Sequence, residues 1–290
     1  MTAPATPRRR RAEVIAPDAR RALRAEVIAP DARRRLRAVV IGPGARRALR
    51  DGASGTVELA FGPGGYVCLS AQRVLLAPAR SPLGPLSVLV PGLARGDLVP
   101  GDAARVAGDT LVAGPLRIDL LRARAAPPPL PRTSSLAPGW RAALAAALDV
   151  VAPAPAELAP GLDALAAGDL AAGAAALAGR GDGLTPAGDD ALAGFAAWRW
   201  ARGGAVSLPA RRCAPLGRDY LRCAERGELP QPAAAVLQAI LAGDAGAAAR
   251  RACGLAGWGA SSGAALLWGL AAGAAQTRKT PPRSRAPGSR

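Results

Sequence analysis

The segment Gly179–Gly194 concentrates glycine, hydroxyl and carboxylate groups in one short stretch, GRGDGLTPAGDDALAG. A run of ordinary core residues does not need this composition, so the segment predicts a functional site. Thr185 followed by Pro186 predicts the start of a helix, with the hydroxyl at the N-cap and the proline at the first helical position. Asp189 and Asp190 then fall in the first turn of that helix.

The two aspartates have two interpretations. Acidic side chains in a first turn stabilise the helix dipole by roughly 0.3–1 kcal/mol each, so Asp189 and Asp190 can serve the helix alone. Alternatively, they are catalytic residues, one of which orients a substrate amide or holds Mg²⁺ while backbone amides bind an anion. Arg180 is either a partner for a substrate carboxylate or phosphate, or a solvated surface arginine.

A second glycine-rich segment repeats parts of the first at an offset of 75 residues. The recurring residues are Gly168-Asp169, Gly179, Gly188, Leu192 and Gly194, which return as Gly243-Asp244, Gly254, Gly263, Leu267 and Gly269. The offset indicates a duplicated helix–loop–helix unit, unless the recurrence is chance in a chain this rich in alanine and glycine.

If the unit is duplicated, Thr185 and Ser261-Ser262 lie at equivalent loop-to-helix junctions. Two helix N-termini that face each other offer backbone N–H groups and positive dipole ends, which together form an anion pocket. The predicted substrate-binding residues are Arg180, Gly183, Thr185, Gly188, Ser261, Ser262 and Gly263.

The composition excludes several classes of site. The 290-residue chain contains no histidine, which excludes Ser-His-Asp, Cys-His and histidine–metal mechanisms. The P-loop pattern is absent, and the glycines of the segment lack the spacing of a dinucleotide fingerprint. The four cysteines form no CxxC pair, so we expect all four to be reduced thiols. No cofactor is predicted with certainty, and Mg²⁺ is the one candidate.

The formal net charge of +17 is concentrated at the two ends of the chain. Residues 1–50 hold 14 arginines against 4 acidic residues, and residues 276–290 hold 5 basic residues and no acidic one. The remainder is nearly neutral, so we expect no specific nucleic-acid partner. No apolar run approaches the roughly 20 residues of a membrane span, and no signal-peptide core follows the basic start. We expect a cytoplasmic protein without membrane contacts.

The sequence predicts an α+β fold, segregated along the chain. Three thirteen-residue repeats, Arg11–Leu23, Arg24–Leu36 and Arg37–Leu49, open it, and the near identity of the first two predicts a mobile basic arm over residues 1–36. Residues 37–126 show strand-length runs between glycine and proline turns, which predicts a small barrel or sandwich. The predicted strands are Thr56–Phe61, Tyr66–Ser70, Val74–Leu76, Leu86–Val90, Thr110–Val112 and Leu116–Leu121.

The second half of the chain is predicted to be helical. Residues 127–133 are proline-rich and predict a linker, residues 134–276 predict an Ala/Gly-rich helical domain, and residues 277–290 predict a basic disordered tail. The helices are expected at about 134–151, 161–178, 186–202, 210–226, 232–242, 244–256 and 262–276.

At the two glycine-rich segments the chain resembles a known family. GRGDGLTPAGDDALAG is similar to a GxGxGLTPSGDDxLxG signature, and GWGASSGAALLWGL, residues 257–270, is similar to GxSSGxDxLxGxxxGL. Both signatures belong to the bacterial family that includes the AllH-type subunit of oxamate carbamoyltransferase. The resemblance spans about residues 39–275 and implies a β-rich part followed by a helical part that carries both motifs.

The resemblance implies a function in allantoin degradation, a route of purine catabolism. There the family's complex moves a carbamoyl group between oxalurate and phosphate, giving oxamate and carbamoyl phosphate, and the AllH-type chain works with two other subunits. This chain departs from the signatures at Ala187, where serine is usual, and at Ala264-Ala265, where a polar or acidic residue often follows SSG. These departures allow a shifted substrate or a loss of activity.

Two functions therefore stand as hypotheses. The first is a subunit of a carbamoyltransferase-like complex that binds a small anionic metabolite bearing an amide, such as carbamoyl phosphate, oxalurate or oxamate. The second is a non-catalytic assembly or regulatory protein, whose motifs are structural turns and whose basic arms dock acidic partners. Whether this chain itself is an enzyme is left open by the sequence.

Overall fold

The computed structural model describes residues 34–126 and 129–276. Most of the expected basic arm, Pro127 and Pro128 of the expected linker, and the expected tail at 277–290 lie outside the described residues. The described chain is α+β, as the sequence predicts, with the strands before the helical segment.

A single ten-stranded sheet, curled into a half-barrel, forms the first half of the described chain. Its order is β1-β9-β8-β7-β3-β4-β5-β6-β2-β10, and β5 pairs with β6, and β2 with β10, in parallel. The strands are β1 (Arg34–Arg37), β2 (Val40–Ile41), β3 (Ser54–Phe61), β4 (Gly64–Leu69), β5 (Gln72–Ala77), β6 (Ser87–Leu89), β7 (Ala103–Ala107), β8 (Thr110–Ala113), β9 (Leu116–Asp119) and β10 (Arg124–Ala125).

Hydrophobic residues on the concave face of this sheet form its core. Val67, Val74, Leu76, Leu111 and Ile118 are fully buried there. The six predicted strands are confirmed, whereas β1, β2, β7 and β10 were not predicted. The sequence AARVA of β7 has a weak intrinsic strand preference, and β7 is a strand because it pairs with β3 on one side and β8 on the other.

The helical segment packs around a second, larger core. The helices, including one inserted among the first strands, are α1 (Pro43–Ala48), α2 (Trp140–Leu148), α3 (Ala159–Ala167), α4 (Leu170–Leu177), α5 (Ala187–Ala201), α6 (Pro215–Ala224), α7 (Gln231–Leu241), α8 (Ala245–Ala256) and α9 (Ser262–Gln276). A smaller cluster of Leu86, Leu216 and Cys223, with Tyr66 and Tyr220 packed on it, connects the sheet to the helices.

The predicted helices are found, with three larger differences in their bounds, one of which is that the helix expected at 210–226 begins at Pro215. The helix expected at 161–178 is two helices, because Gly168 turns left-handed at φ 99° and the Asp169 carboxylate caps α4 by accepting the Ala172 N–H at 2.9 Å. The helix expected at 134–151 is α2, which begins at Trp140 rather than at Ser134 or Ser135, since Gly139 before it is left-handed at φ 84°.

Helices α5 and α9 lie side by side in the helical core and run in the same direction, since Thr185 contacts Ser262 where they begin and Arg199 contacts Gln276 where they end. A Cβ atom on Gly194 of α5 would overlap the carbonyl oxygen of Leu266, and one on Gly269 of α9 would overlap that of Ala191. These two contacts exchange under the offset of 75 residues, which supports a duplicated unit with a local two-fold relation. None of the described helices is long and apolar enough to cross a membrane.

Candidate functional site

A cavity of about 160 Å³ lies where α5 and α9 begin. The apolar part of its wall includes Leu184, Leu216, Leu229, Trp258 and Leu266. The polar residues that line it are Tyr66, Thr185, Asp190, Tyr220, Glu228 and Ser262. The cavity thus combines an apolar wall with hydroxyl and carboxyl groups from strand β4 and from four helical regions, which is a common composition for a small-molecule site.

Thr185 and Ser262 meet at this cavity although 77 residues separate them in the chain. Their hydroxyl oxygens are 3.1 Å apart, so the two loop-to-helix junctions of the repeat converge on one place. The predicted N-cap is wrong by one residue, because α5 begins at Ala187 after Pro186 and no side chain caps it. The Thr185 hydroxyl is therefore directed to Ser262 and Asp190 instead of to the helix backbone.

Asp190 is the acidic residue of the pair that lines the cavity. Its side chain is 6% exposed and accepts hydrogen bonds from Ser262 and Thr185, while its Oδ2 atom is buried with no hydrogen-bond partner among the described residues. Burial raises the pKa of Asp190 to about 7, and the nearby Asp189 adds to the rise. Asp190 is therefore close to half ionised near neutral pH.

Asp189 faces the protein interior instead of the cavity. Its Oδ1 accepts the Gly179 N–H at 2.7 Å, its Oδ2 accepts the Ala214 N–H at 2.8 Å, and it also bonds to the Cys213 side chain. Burial raises its pKa above the ordinary value, although these hydrogen bonds oppose the rise. The Asp189 carboxylate thereby ties the loop before α5 to the loop before α6.

Tyr66 of β4 and Tyr220 of α6 place a pair of hydroxyl groups at the cavity, 3.4 Å apart. Burial raises the pKa of Tyr66, and it raises the pKa of Tyr220 well above the ordinary value. Both side chains therefore keep their protons near neutral pH. A hydroxyl pair uses one proton in its own hydrogen bond, which leaves the other proton to donate elsewhere.

Glu228 is a second buried acid at the cavity, and Arg47 neutralises it. The Arg47 guanidinium reaches both carboxylate oxygens, at 2.6 and 2.5 Å, in a bidentate pair. This pair links α1 to the turn before α7. Because Arg47 uses both oxygens, Glu228 adds little negative charge to the cavity.

The remaining predicted site residues lie around the cavity or away from it. Arg180 is exposed and is not part of the lining, and Gly183 is an exposed, left-handed turn residue at φ 97°. Gly188 and Gly263 touch backbone: a Cβ on either would overlap the carbonyl oxygen of Leu177 or Leu255. Ser261 precedes α9, and its carbonyl oxygen accepts the Ala265 N–H.

The backbone amides at the start of α5 are mostly used within the protein. The Gly188 N–H donates to the Arg180 carbonyl oxygen at 2.9 Å, and those of Asp189 and Asp190 donate to Pro186. At α9, the Gly263 N–H donates to the Trp258 carbonyl oxygen at 3.2 Å. The groups that a ligand would meet at these helix ends are therefore side chains, with the two helix dipoles behind them.

A magnesium site has few ligands available here. Both oxygens of Asp189 are occupied, and within residues 34–126 and 129–276 no group of three or more His, Cys, Asp or Glu side chains could hold a metal ion. Mg²⁺ usually takes several oxygen ligands around an octahedron, and Asp190 alone does not fit that requirement.

Sequence reasoning missed Tyr66, Tyr220 and Glu228. These residues come from β4, α6 and the turn before α7, so their proximity to the glycine-rich segments depends on the tertiary fold. One signal was present in the composition: the chain has 2 tyrosines, and both line the cavity.

Fold and site together define an α+β protein with a small, hydroxyl- and carboxyl-lined cavity between a curled sheet and a helical core. Residues 177–274 match the family described as oxamate carbamoyltransferase subunit AllH, which confirms the AllH-type resemblance over the segment that carries both motifs. No curated protein shows significant similarity to the chain. No solved structure does so either.

Proposed function

We propose that this chain is the metabolite-binding subunit of a carbamoyltransferase-like complex, and that its cavity binds a small anionic metabolite with an amide group. Carbamoyl phosphate, oxalurate and oxamate are compounds of this class, and they are the ones that the resemblance to the AllH-type family implies. The observation that carries the proposal is the meeting of Thr185, Ser262 and Asp190 at the start of two parallel helices, with the Asp190 Oδ2 atom left unpartnered among the described residues.

The electrostatics of the cavity suit a ligand of this kind. The positive dipole ends of α5 and α9 point to one place, which favours an anionic group there. Asp190 supplies the opposite preference, because a carboxylate accepts N–H donors such as those of an amide. A molecule that carries both groups satisfies both requirements.

The cavity fits catalysis by positioning better than covalent catalysis. The two cysteines near the site, Cys213 and Cys223, do not line it, and burial raises the pKa of Cys213 to about 12, so that its thiol is not a nucleophile at neutral pH. Carbamoyl transfer between two bound metabolites can be accelerated by orientation and electrostatics alone. We propose that Asp190 orients the amide and that other subunits supply the rest of the site.

Ligand binding can be measured on the isolated chain by isothermal titration calorimetry and by thermal shift. We expect oxamate, oxalurate or carbamoyl phosphate to bind and raise the melting temperature, and we expect Asp190→Ala and Ser262→Ala to weaken the binding at least tenfold. Asp163→Asn, on the exposed face of α3, is the control that should bind as the wild type. Binding that is unchanged in both cavity variants would refute the site.

The alternative, an assembly or regulatory protein without a ligand, has its own support in the packing. Gly188, Gly263 and Asp189 all have structural contacts that explain their presence in the motifs. These contacts do not explain the unpartnered Oδ2 of Asp190. If none of the three metabolites binds, and the chain still co-purifies with the products of neighbouring genes, the assembly role is the better account.

A further inference from the structure

The cavity offers a ligand an unusual set of polar groups for an anion site. The described lining residues include four hydroxyl side chains and two carboxyl side chains, and no lysine or arginine. Arg47 contacts Glu228 but is not itself part of the lining. An anionic group placed beside Asp190 would therefore meet a carboxyl without a compensating cation.

One unused hydrogen-bonding group in this lining is an acceptor, on Asp190. Glu228 has both oxygens on Arg47, and the Thr185 and Ser262 hydroxyls lie within bonding distance of each other and bond to Asp190. The Asp190 Oδ2 atom has no partner among the described residues. A buried acceptor without a donor destabilises the protein, so a bound ligand that brings an N–H group relieves that cost.

The unused donor lies in the tyrosine pair. Tyr66 and Tyr220 share one proton between their hydroxyls, which leaves a second proton for a ligand oxygen. The charge of Asp190 is close enough to raise the pKa of both tyrosines, so that the donor and the acceptor belong to one site. A planar group with an N–H on one side and a carbonyl oxygen on the other matches this arrangement.

We propose that the cavity selects the primary amide end of its ligand, with Asp190 accepting the amide N–H and the Tyr66–Tyr220 pair donating to the amide oxygen. The proposal deepens the proposed function and rests on it, since it concerns the same cavity. Asp190 is then a specificity-determining residue, which discriminates an amide from the carboxylate of the same size.

Three probes separate the N–H requirement from charge and size. Oxamate carries the primary amide, oxalate replaces it with a second carboxylate, and N,N-dimethyloxamate keeps the charge of oxamate but has no N–H. In calorimetric titrations of the full chain at pH 8, we expect oxamate to bind at least tenfold more tightly than either analogue. A tenfold ratio corresponds to about 1.4 kcal/mol, which is close to the lower limit for one hydrogen bond to a charged group.

The Asp190→Asn variant tests the assigned residue. An asparagine amide donates as well as accepts, so we expect the tenfold preference for oxamate over oxalate to disappear or to invert. Asp163→Asn should keep the wild-type preference, and circular dichroism with thermal melting establishes that both variants are folded.

The outcomes distinguish this inference from the proposed function. Equal binding of oxamate and both analogues to the wild type, or an unchanged preference in folded Asp190→Asn, overturns the amide selection and leaves the cavity as a binding site. If no probe binds the folded wild type, the proposed function fails, and amide selection at this site fails with it. If only Asp190→Asn loses the preference for oxamate over oxalate, the result supports both the amide selection and the proposed function.

Discussion

Two adjacent aspartates in one helical turn have different surroundings in this protein. Successive side chains on a helix point about 100° apart, so Asp189 turns to the loop amides of Gly179 and Ala214 while Asp190 turns to the cavity. The sequence left two interpretations open, that both aspartates serve the helix dipole or that they are catalytic residues, one of which orients an amide or holds Mg²⁺. It could not assign them, because the assignment depends on which loops pack on each side of α5.

The structural task of Asp189 leads to a prediction about stability. In Asp189→Ala, two backbone amides lose a buried acceptor, and each such loss costs about 1–3 kcal/mol. We expect the free energy of unfolding to fall by roughly 2–6 kcal/mol in urea denaturation. The exposed Asp163→Ala should change it by less than about 0.5 kcal/mol, and a similar small change for Asp189→Ala would contradict the assignment.

Asp189 stabilises the fold through its hydrogen bonds, whereas the ionised carboxylate of Asp190 destabilises it because it is buried. The size of this destabilisation depends on pH. The folded pKa of about 7 exceeds the ordinary value of 3.8, so the folded state binds the proton more tightly, and the associated stability is lost as pH rises from about 4 to about 7. The difference between the two pKa values corresponds to a loss of about 4 kcal/mol in the free energy of unfolding once the pH is above 7.

We therefore expect Asp190→Asn to be more stable than the wild type at pH 8. The difference should widen by about 2–3 kcal/mol between pH 5 and pH 8, as measured by urea denaturation at each pH. The wild type and Asp190→Asn share the other titratable and charged groups near position 190, which are Asp189, Glu228 with Arg47, Tyr66 and Tyr220. A difference that does not vary with pH would show that Asp190 has an ordinary pKa.

At the scale of elements, the parallel pair α5 and α9 holds the two halves of the site together. Their close approach needs Gly194 and Gly269, at which a Cβ would overlap backbone of the facing helix. Gly254 of α8 is a matched contrast, since a Cβ there meets nothing within 4 Å. All three glycines belong to the motif recurrence noticed in the sequence.

We expect alanine to have opposite effects at two of these glycines. Gly269→Ala should destabilise the fold by more than about 2 kcal/mol, since overpacking against backbone forces the helices apart. Gly254→Ala should stabilise it by up to about 1 kcal/mol through helix propensity. Thermal and urea unfolding of both variants measure the contrast, and equal effects would contradict the packing of α5 on α9.

The recurrence in the sequence predicted that α5 and α9 are equivalent helices. It did not predict correctly which residues before these helices are equivalent. Gly188 and Gly263 do occupy equivalent packing positions at the two helix starts. Gly179 and Gly254 do not correspond, because Gly179 lies in the loop before α5 whereas Gly254 lies inside α8. Helix α8 is longer than α4 and the loop after it is shorter, so one fixed offset cannot align both, and sequence alone gives no loop length.

At the scale of the whole molecule, the third thirteen-residue repeat is part of the fold that joins sheet and helices. It supplies β2 and α1, and Arg47 within it binds Glu228 at the cavity. This copy has Gly42 and Gly44 where the first two copies have alanine and aspartate. A Cβ on Gly42 would overlap the carbonyl oxygens of Gly84 and Pro85, and one on Gly44 would crowd Cys223 and Leu86.

The first two copies therefore lack the sequence that this place in the fold requires. We expect Gly44→Asp, which gives the third copy the residue of the others, to destabilise the protein by about 2–4 kcal/mol, because it adds both overlap and a buried charge. Gly254→Asp is the matched control at an exposed helical position of α8 without a left-handed backbone, where a Cβ meets nothing within 4 Å, and it should cost about 1 kcal/mol or less. Comparable unfolding midpoints for the two variants would contradict this role of the repeat.

The central claim is that the start of α5 and α9 forms a ligand site, and a crystal structure of the chain with oxamate tests it most directly. We predict electron density for oxamate in the cavity, with its amide nitrogen within hydrogen-bonding distance of Asp190 and its amide oxygen near the Tyr66–Tyr220 pair. An empty cavity in crystals that contain oxamate at saturating concentration, or oxamate bound on another surface, would contradict the account.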